Sequence, residues 1–197
     1  MKDKRSDILA SAEHEFLEKG YDGTSIDAIV REVGGSKSTI YSHFRDKGVL
    51  FAETLTAIRR ELDFSLPHAD TSGTDAAEML TLLGVEFLTT LYSERALHLF
   101  RTVIAESQRF PDVARQLMDD GFSVSVQRIA AALGNSAAVQ SRSLDAHAAA
   151  RDFVALLTGE RHLRLLMQLE PAPDTAGIAA TAACAAGTIA AALRVDS

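Results

Sequence analysis

Residues 20–51 read GYDGTS (20–25), IDAIVREVG (26–34), GSKSTIYSHF (35–44) and RDKGVLF (45–51). The spacing of their apolar side chains decides the fold. Ile26, Ile29, Val30 and Val33 make a stripe two helical turns long that stops at Gly34-Gly35, where a glycine can end a helix. Thr24, with Asp27 three residues on, predicts a capping box at the start of that helix. Ser36 predicts the cap of a second short helix, Ser36 to Phe44. At about 13 Å long, such a helix does not stand alone in water and must pack on its neighbours. With roughly 100° of turn per residue, Ile40 and Phe44 point one way and Ser38 and Ser42 almost opposite, with Thr39 and Tyr41 on the flanks.

The pattern continues on both sides of this pair. Upstream, Ile8, Leu9, Ala12 and Phe16 lie on one helix face, and Lys19-Gly20 predicts its end. Downstream, a helix starting near Asp46 carries Val49, Leu50, Leu55, Ile58 and Leu62, and Pro67 to Asp75 reads as a loop. Further helical stretches are predicted over Ala76–Leu91, Glu94–Ser107, Pro111–Leu133, Leu144–Leu169 and Thr175–Leu193. Alternating β-branched runs are absent and only four prolines interrupt the chain, so the fold class is all-α. The domain boundary is placed inside the fourth helix. This gives a domain of short helices over 1–52 and a helical bundle over 53–197.

Composition narrows the function classes. The 197 residues are 47% hydrophobic and 24% charged, which excludes a disordered tail or a collagen-like fibre. A single cysteine, Cys184, can form neither an internal disulfide nor a thiolate zinc cluster, and the charged start leads into no long apolar run, so a cytoplasmic protein is expected. Ala176 to Leu193 is uncharged, but it is mostly alanine, which partitions weakly into lipid; a closely packed helix is expected there and no membrane partner. The formal net charge of −7 resides in the second part of the chain, and all five lysines lie within the first 47 residues. A polyanion would therefore meet the front end. Two short helices joined by a glycine turn and braced by a longer one form the helix-turn-helix arrangement, and an outer face of hydroxyls, a tyrosine and Lys37 offers donors and acceptors to base edges and phosphates. An ordinary solvated helix face would show the same pattern.

The motifs go further than periodicity. Gly20-Tyr21-Asp22-Gly23-Thr24-Ser25, Ile29-Val30-Arg31-Glu32-Val33-Gly34, Ser36-Lys37-Ser38-Thr39-Ile40-Tyr41-Ser42-His43-Phe44 and Asp46-Lys47-Gly48-Val49-Leu50-Phe51 together resemble the TetR/AcrR family of bacterial repressors over residues 5–52. Gly35 stands where that family usually has valine and Gly48 where it often has glutamate. A looser turn and a less well capped fourth helix are expected from these departures. The resemblance implies that Ser25 binds a phosphate from the start of the second helix, that Lys37, Ser38 and Ser42 approach base edges, and that Thr39, Tyr41 and His43 grip sugar and phosphate. It implies that Lys47 meets a phosphate at the fourth helix's N-terminus, where the helix dipole favours an anion.

Residues 95–122, with Leu99-Phe100-Arg101, Ile104-Ala105-Glu106 and Arg109-Phe110-Pro111, resemble the AefR-like subgroup of C-terminal domains. That likeness implies a bundle that binds a small molecule and dimerises through its last two helices. The Ala/Gly/Thr surface of 176–193 allows the close helix approach a homodimer needs, although burial within one subunit would use it equally. Phe87, Phe100, Met118, Phe122 and Phe153 are candidate walls of a ligand cavity, and His98, Arg101, Gln127, His147 and Arg151 candidate polar anchors. Each of these side chains has plain core or plain surface as its simpler reading.

Catalytic signatures are absent: the chain has no G-x-S-x-G elbow, H-E-x-x-H, phosphate-binding loop or dinucleotide fingerprint. No catalytic residue, metal ligand or cofactor is therefore expected. The expected function is a ligand-responsive transcriptional regulator, a repressor that binds a near-palindromic double-stranded DNA operator as a homodimer and is released by a small, largely apolar effector. The alternative is a helix-turn-helix nucleoid or division factor without an effector.

Overall fold

The computed structural model describes residues 3–62, 75–134 and 145–195. The loop expected over 67–75 lies, apart from Asp75, outside them. All regular structure among the described residues is helical, in agreement with the all-α reading. Contacts divide the chain into two compact units, Met1–Leu62 with His98–Leu117, and Asp63–Leu97 with Met118–Ser197. This division differs from a boundary at residue 52, because His98–Leu117 joins the N-terminal unit, which is called the head below.

In the head, α1 spans Lys4–Gly23, α2 Ile26–Val33, α3 Lys37–His43 and α4 Lys47–Glu61. Ile8, Ala12 and Phe16 of α1 are buried, as their spacing predicts, and Gly20 breaks the helical path with φ 70° and ψ −178°. A side chain at Gly20 would be strained at that φ. The carbonyls at this break are not left open: the buried Thr24 hydroxyl donates to Glu15 O and Gly20 O, both at 2.8 Å. The capping box expected on Thr24 and Asp27 is therefore not formed. Thr24 is turned into the core, α2 begins one residue later, and Ser25 caps it by accepting from the Ala28 amide at 3.1 Å.

The remaining elements of the head are the greater part of α6 (Glu94–Glu106) and α7 (Pro111–Leu117). Phe110, between them, is what draws this segment in. Its ring lies 4.7 Å from Phe51 and 5.0 Å from Tyr21, and Phe51 also meets Phe16 edge to face at 4.9 Å. Offset and edge contacts of this kind add about 0.5–1.5 kcal/mol each beyond the area they bury. Gly48 sits beside this cluster; a Cβ there would lie 3.5 Å from Phe110 and 3.6 Å from the Tyr21 hydroxyl. The expectation of a weakly capped α4 is corrected by Asp46, whose Oδ1 accepts from the Val49 amide at 2.9 Å. That hydrogen bond, reinforced by Arg45, holds the Asp46 carboxyl below the usual aspartate range.

The second unit contains α5 (Ala76–Leu91), a π-helical turn at Met118–Ser123, α8 (Val124–Gly134), α9 (Ala146–Leu166) and α10 (Thr175–Val195). The single helix predicted over Pro111–Leu133 is thus three segments. The buried Gly121 in the middle weakens regular helix, and the wider π turn takes up an extra residue there, with Ser125 Oγ donating to Gly121 O. The start predicted at Leu144 lies outside the described residues; α9 begins at Ala146, where Asp145 accepts from the His147 and Ala148 amides. Gly159 breaks its helical geometry in mid-course.

Helices α5, α9 and α10 converge at Gly84. A Cβ at this position would stand 3.0 Å from both Ala182 Cβ and Phe153 Cζ, so only glycine permits the approach as it stands. Among the described residues Thr175–Leu193 is long and apolar enough to cross a membrane by length and composition. Its larger side chains, Ile178, Ile189 and Leu193, are however buried within the unit, and its outward face is Ala180, Ala183, Cys184, Gly187, Thr188 and Ala191.

His162 of α9 is buried and stacks on Tyr92 with ring centroids 6.2 Å apart. Burial holds its imidazole neutral and pushes its pKa from 6.5 down to about 4. The unfolded chain takes up a proton as the pH drops through 6.5 while the folded chain does not until about 4, so stability is lost across that window. Urea denaturation at pH 7 and pH 4.5 is expected to show a larger loss for the wild type than for His162→Phe, which keeps a ring against Tyr92 and removes the titration. An equal loss in both proteins would assign the acid sensitivity to other groups.

Candidate nucleic-acid interface

Helix α3 is seven residues long and is held at both ends by its own flanks. Ser36 and Thr39 form a reciprocal capping box, with Thr39 N to Ser36 Oγ at 3.3 Å and Ser36 N to Thr39 Oγ1 at 3.4 Å. Ile40 and Phe44 are buried at 3% and 1% exposure, the inward anchors the spacing predicted. Ser38, Tyr41, Ser42 and His43 are exposed, and Thr39 is half-buried. One side of a short helix therefore presents hydroxyls, a phenol and an imidazole to solvent, while the other is fixed in the core.

The hydrogen-bonding capacity of that face is partly committed. Ser42 Oγ donates to Thr39 O at 2.7 Å, which leaves its lone pairs facing outward as acceptors. Ser38 Oγ lies 2.6 Å from Ser36 Oγ. The Lys37 ammonium pairs with Asp27 of α2 at 2.9 Å, and this partner raises its pKa. Both side chains are more than half exposed, so water screens the pair and it is worth little on its own. Ser25 uses its oxygen as an acceptor in the cap, and its O–H remains available to an anion.

Lys47 occupies a more built environment at the first position of α4. Its Nζ lies over the Tyr21 ring at 4.5 Å, and the Arg109 guanidinium lies over the same ring at 4.2 Å while pairing with Asp22 at 2.8 Å. Partial burial lowers the Lys47 pKa; Asp22 opposes that effect and the positive charge of Arg109 adds to it. Two cations thus share one aromatic ring next to a helix N-terminus. Sequence reading missed Arg109 and Asp22, which stand 87 residues apart and have no common periodicity.

The expected cavity residues are distributed between the units. Phe87 and Phe153 are buried in the second unit, where Phe87 meets the half-buried Phe122 at 6.0 Å. Phe100, buried, and Arg101, half-buried, belong to the head. Met118, Gln127, His147 and Arg151 face solvent, and His98 lies 3.8 Å from Glu18 within the head. A small cleft in the head, bounded by Leu55, Thr56, Arg59, Val103 and Gln116 among others, has room for roughly one water. None of the expected ligand residues lines it.

Residues 8–54 match the family model of bacterial regulatory proteins of the tetR family, and residues 78–194 match that of the AefR-like transcriptional repressor C-terminal domain. The chain belongs to the TetR family. Among curated relatives, the biofilm operon icaADBC HTH-type negative transcriptional regulator IcaR of Staphylococcus aureus is 40% identical over 55 residues, 28% of each chain. The regulator YhgD of Bacillus subtilis is 33% identical over 60 residues, 30% of this chain and 31% of that one. The chain therefore matches less than a third of the length of these relatives. Similarity to solved structures runs through the whole molecule. A TetR-family regulator from Mesorhizobium loti covers 96% of both chains at 25% identity with a TM-score of 0.79. The Flavonoid-responsive Regulator FrrA covers 96% of both at 27% identity with a TM-score of 0.75. This TetR-family protein is a transcriptional regulator with a helix-turn-helix DNA-binding domain, and it is not an enzyme; relatives are named as repressors.

Proposed function

We propose that the protein is a cytoplasmic, ligand-responsive repressor that binds a near-palindromic operator as a homodimer and is released by a small, largely apolar effector. The observation that carries the DNA-reading part is the two-sidedness of α3, with Ile40 and Phe44 fixed in the core and Ser38, Tyr41, Ser42 and His43 turned out. In this reading Lys37, Ser38 and Ser42 approach base edges. Ser25, Thr39, Tyr41, His43 and Lys47 hold sugar and phosphate. Two such helices in a dimer would lie about 34 Å apart, one turn of DNA or a multiple of it, so the operator has two half-sites.

Release requires that the effector bind the DNA-free arrangement more tightly than the DNA-bound one. The buried Phe87 and Phe153 and the half-buried Phe122 supply apolar walls for it in the second unit. The flavonoid response in FrrA's name supports a small aromatic effector class for this chain. A coupling of about 1–3 kcal/mol would weaken operator binding roughly 5- to 150-fold, and operator DNA would weaken effector binding by the same factor. A helix-turn-helix protein that organises DNA without an effector would show no such reciprocity.

The test is a footprint of the purified protein on the DNA flanking its coding region, followed by Lys47→Ala. The variant is expected to bind all sequences more weakly and to lower the slope of log affinity against log salt by about one unit, because one phosphate contact is lost. Ser38 or Ser42 substitutions are expected to change base preference instead. An unchanged salt slope with altered base preference in Lys47→Ala would reverse the assignment of positioning and reading roles.

A further inference from the structure

The turn that delivers α3 consists of Gly34 and Gly35 at φ +72° and +116°, and no atom lies within 4 Å of where a Gly34 Cβ would be. Two consecutive residues without side chains leave the backbone with little to restrain it, since each glycine has more conformational freedom than alanine. The inward anchors Ile40 and Phe44 hold the middle and the far end of α3. Its first turn, which in helix-turn-helix readers supplies the base contacts, is held by the Ser36–Thr39 box, the Ser36–Ser38 hydroxyl contact and the exposed Lys37–Asp27 pair. A side chain from outside α2 and α3 reaches the turn: Lys4, at the start of α1, donates from Nζ to Val33 O at 2.9 Å and to Gly34 O at 3.2 Å. These are carbonyls at the C-terminus of α2, where helix carbonyls lack intrahelical partners and the dipole favours a cation. The neighbouring Arg5 lies over the Phe44 ring at 5.1 Å and pairs with Glu53 of α4. Consecutive cations of α1 therefore fasten the two ends of the unit that carries α3.

We propose that Lys4 is a positioning residue for sequence reading: its ammonium ties down the two-glycine turn and so fixes the first turn of α3 against the bases. The inference rests on α3 being the helix that enters the groove. A turn freed of this tie lets α3 tilt, which loosens directional hydrogen bonds to base edges and leaves the number of phosphate contacts unchanged. A Lys4 that touched phosphate itself would act in the opposite way. A purely structural Lys4 would alter melting alone.

The experiment compares wild type, Lys4→Met and Lys4→Arg on two duplexes: one selected from a random-sequence pool by the wild-type protein, and a scrambled version of it. For Lys4→Met the ratio of the two affinities is expected to fall roughly 5- to 10-fold, the size of one lost base contact, with the salt slope on the scrambled duplex unchanged. Lys4→Arg, which can still donate to both carbonyls, is expected to restore most of the ratio. A ratio equal to wild type in Lys4→Met overturns the proposal, also where its melting temperature has dropped. A salt slope lower by about 0.9 overturns it in favour of a phosphate contact. Wild-type protein that enriches no consensus overturns the reading of α3, and this inference falls with it; an enriched consensus read equally well by Lys4→Met overturns the inference alone.

Discussion

Phe51→Ala is expected to destabilise the head by about 3–5 kcal/mol and to abolish specific DNA binding near physiological temperature. The side chain has no solvent exposure, and its ring is 4.9 Å from Phe16, 5.1 Å from Tyr21 and 4.7 Å from Phe110. Of these three neighbours, Phe16 and Tyr21 lie on α1 before and after its break at Gly20, and Phe110 lies at the α6–α7 junction. No single element can move to refill the cavity, and incomplete relaxation is what makes a ring deletion more costly than its transfer energy. A loss of that size is a large fraction of the 5–15 kcal/mol total typical of a domain. Tyr21 would lose its edge contact, and Lys47 and Arg109, which both lie over that ring, would lose their support with it. Denaturant titration of the full chain checks the prediction, with Phe51→Leu as the milder companion. A change below about 1 kcal/mol for the alanine variant would mean that the cluster collapses onto itself and that the head does not depend on it.

The parts of the head legible in the sequence are those written in neighbouring residues. Ser36 capping α3, Asp46 opening α4, Gly20 ending the regular part of α1 and the inward pair Ile40 and Phe44 all follow from chemistry within four or five positions. The exposure of Ser38, Tyr41, Ser42 and His43 was legible for the same reason. Thr24 shows the limit: as a candidate cap it was one residue out of phase, because nothing local records that the carbonyls of Glu15 and Gly20 need its hydroxyl. Lys4 with Val33 and Gly34, and Arg109 with Asp22, join residues 29, 30 and 87 positions apart, and a side-chain pair at that distance leaves no periodic trace. The second unit was harder still. Apolar residues at helical spacing identify a buried face without saying whether it meets another side chain or a cavity. The π turn at Met118–Ser123 then shifts the phase of everything counted across it, and Met118 and Gln127 stand on the solvent side.

Leu163→Glu combined with Met167→Glu is expected to convert the protein to a monomer and to weaken operator binding by roughly 10²- to 10⁴-fold, the gain that linked binding of two half-sites supplies. Leu156 and Leu163 of α9, one on each side of the break at Gly159, and Met167 just past its end are 47%, 55% and 66% exposed, large apolar side chains left in water. Beside them in sequence, α10 exposes Ala180, Ala183, Gly187 and Ala191, small residues spaced so that another helix can approach closely. In the proposed homodimer this apolar area on two helices would be the association surface, met by the same surface of a second copy of the chain. Because Leu163 and Met167 are already exposed in the single chain, glutamate there removes little internal packing, so the monomer should keep its helicity and its denaturation midpoint. Gly187→Leu makes the argument sharper. Apart from its chain neighbours and the backbone of its own helix, no atom lies within 4 Å of a Cβ at that position. In an isolated chain leucine would therefore stabilise α10 by about 0.8 kcal/mol through helix propensity alone, whereas against a partner helix the added bulk should cost about 1–3 kcal/mol of association. Sedimentation over a range of protein concentrations, with thermal melting of the same samples, reads both signs. A Gly187→Leu protein that melts higher and remains as dimeric as the wild type would place the dimer contact elsewhere, and a wild type that is monomeric at micromolar concentration would remove the dimer from the mechanism.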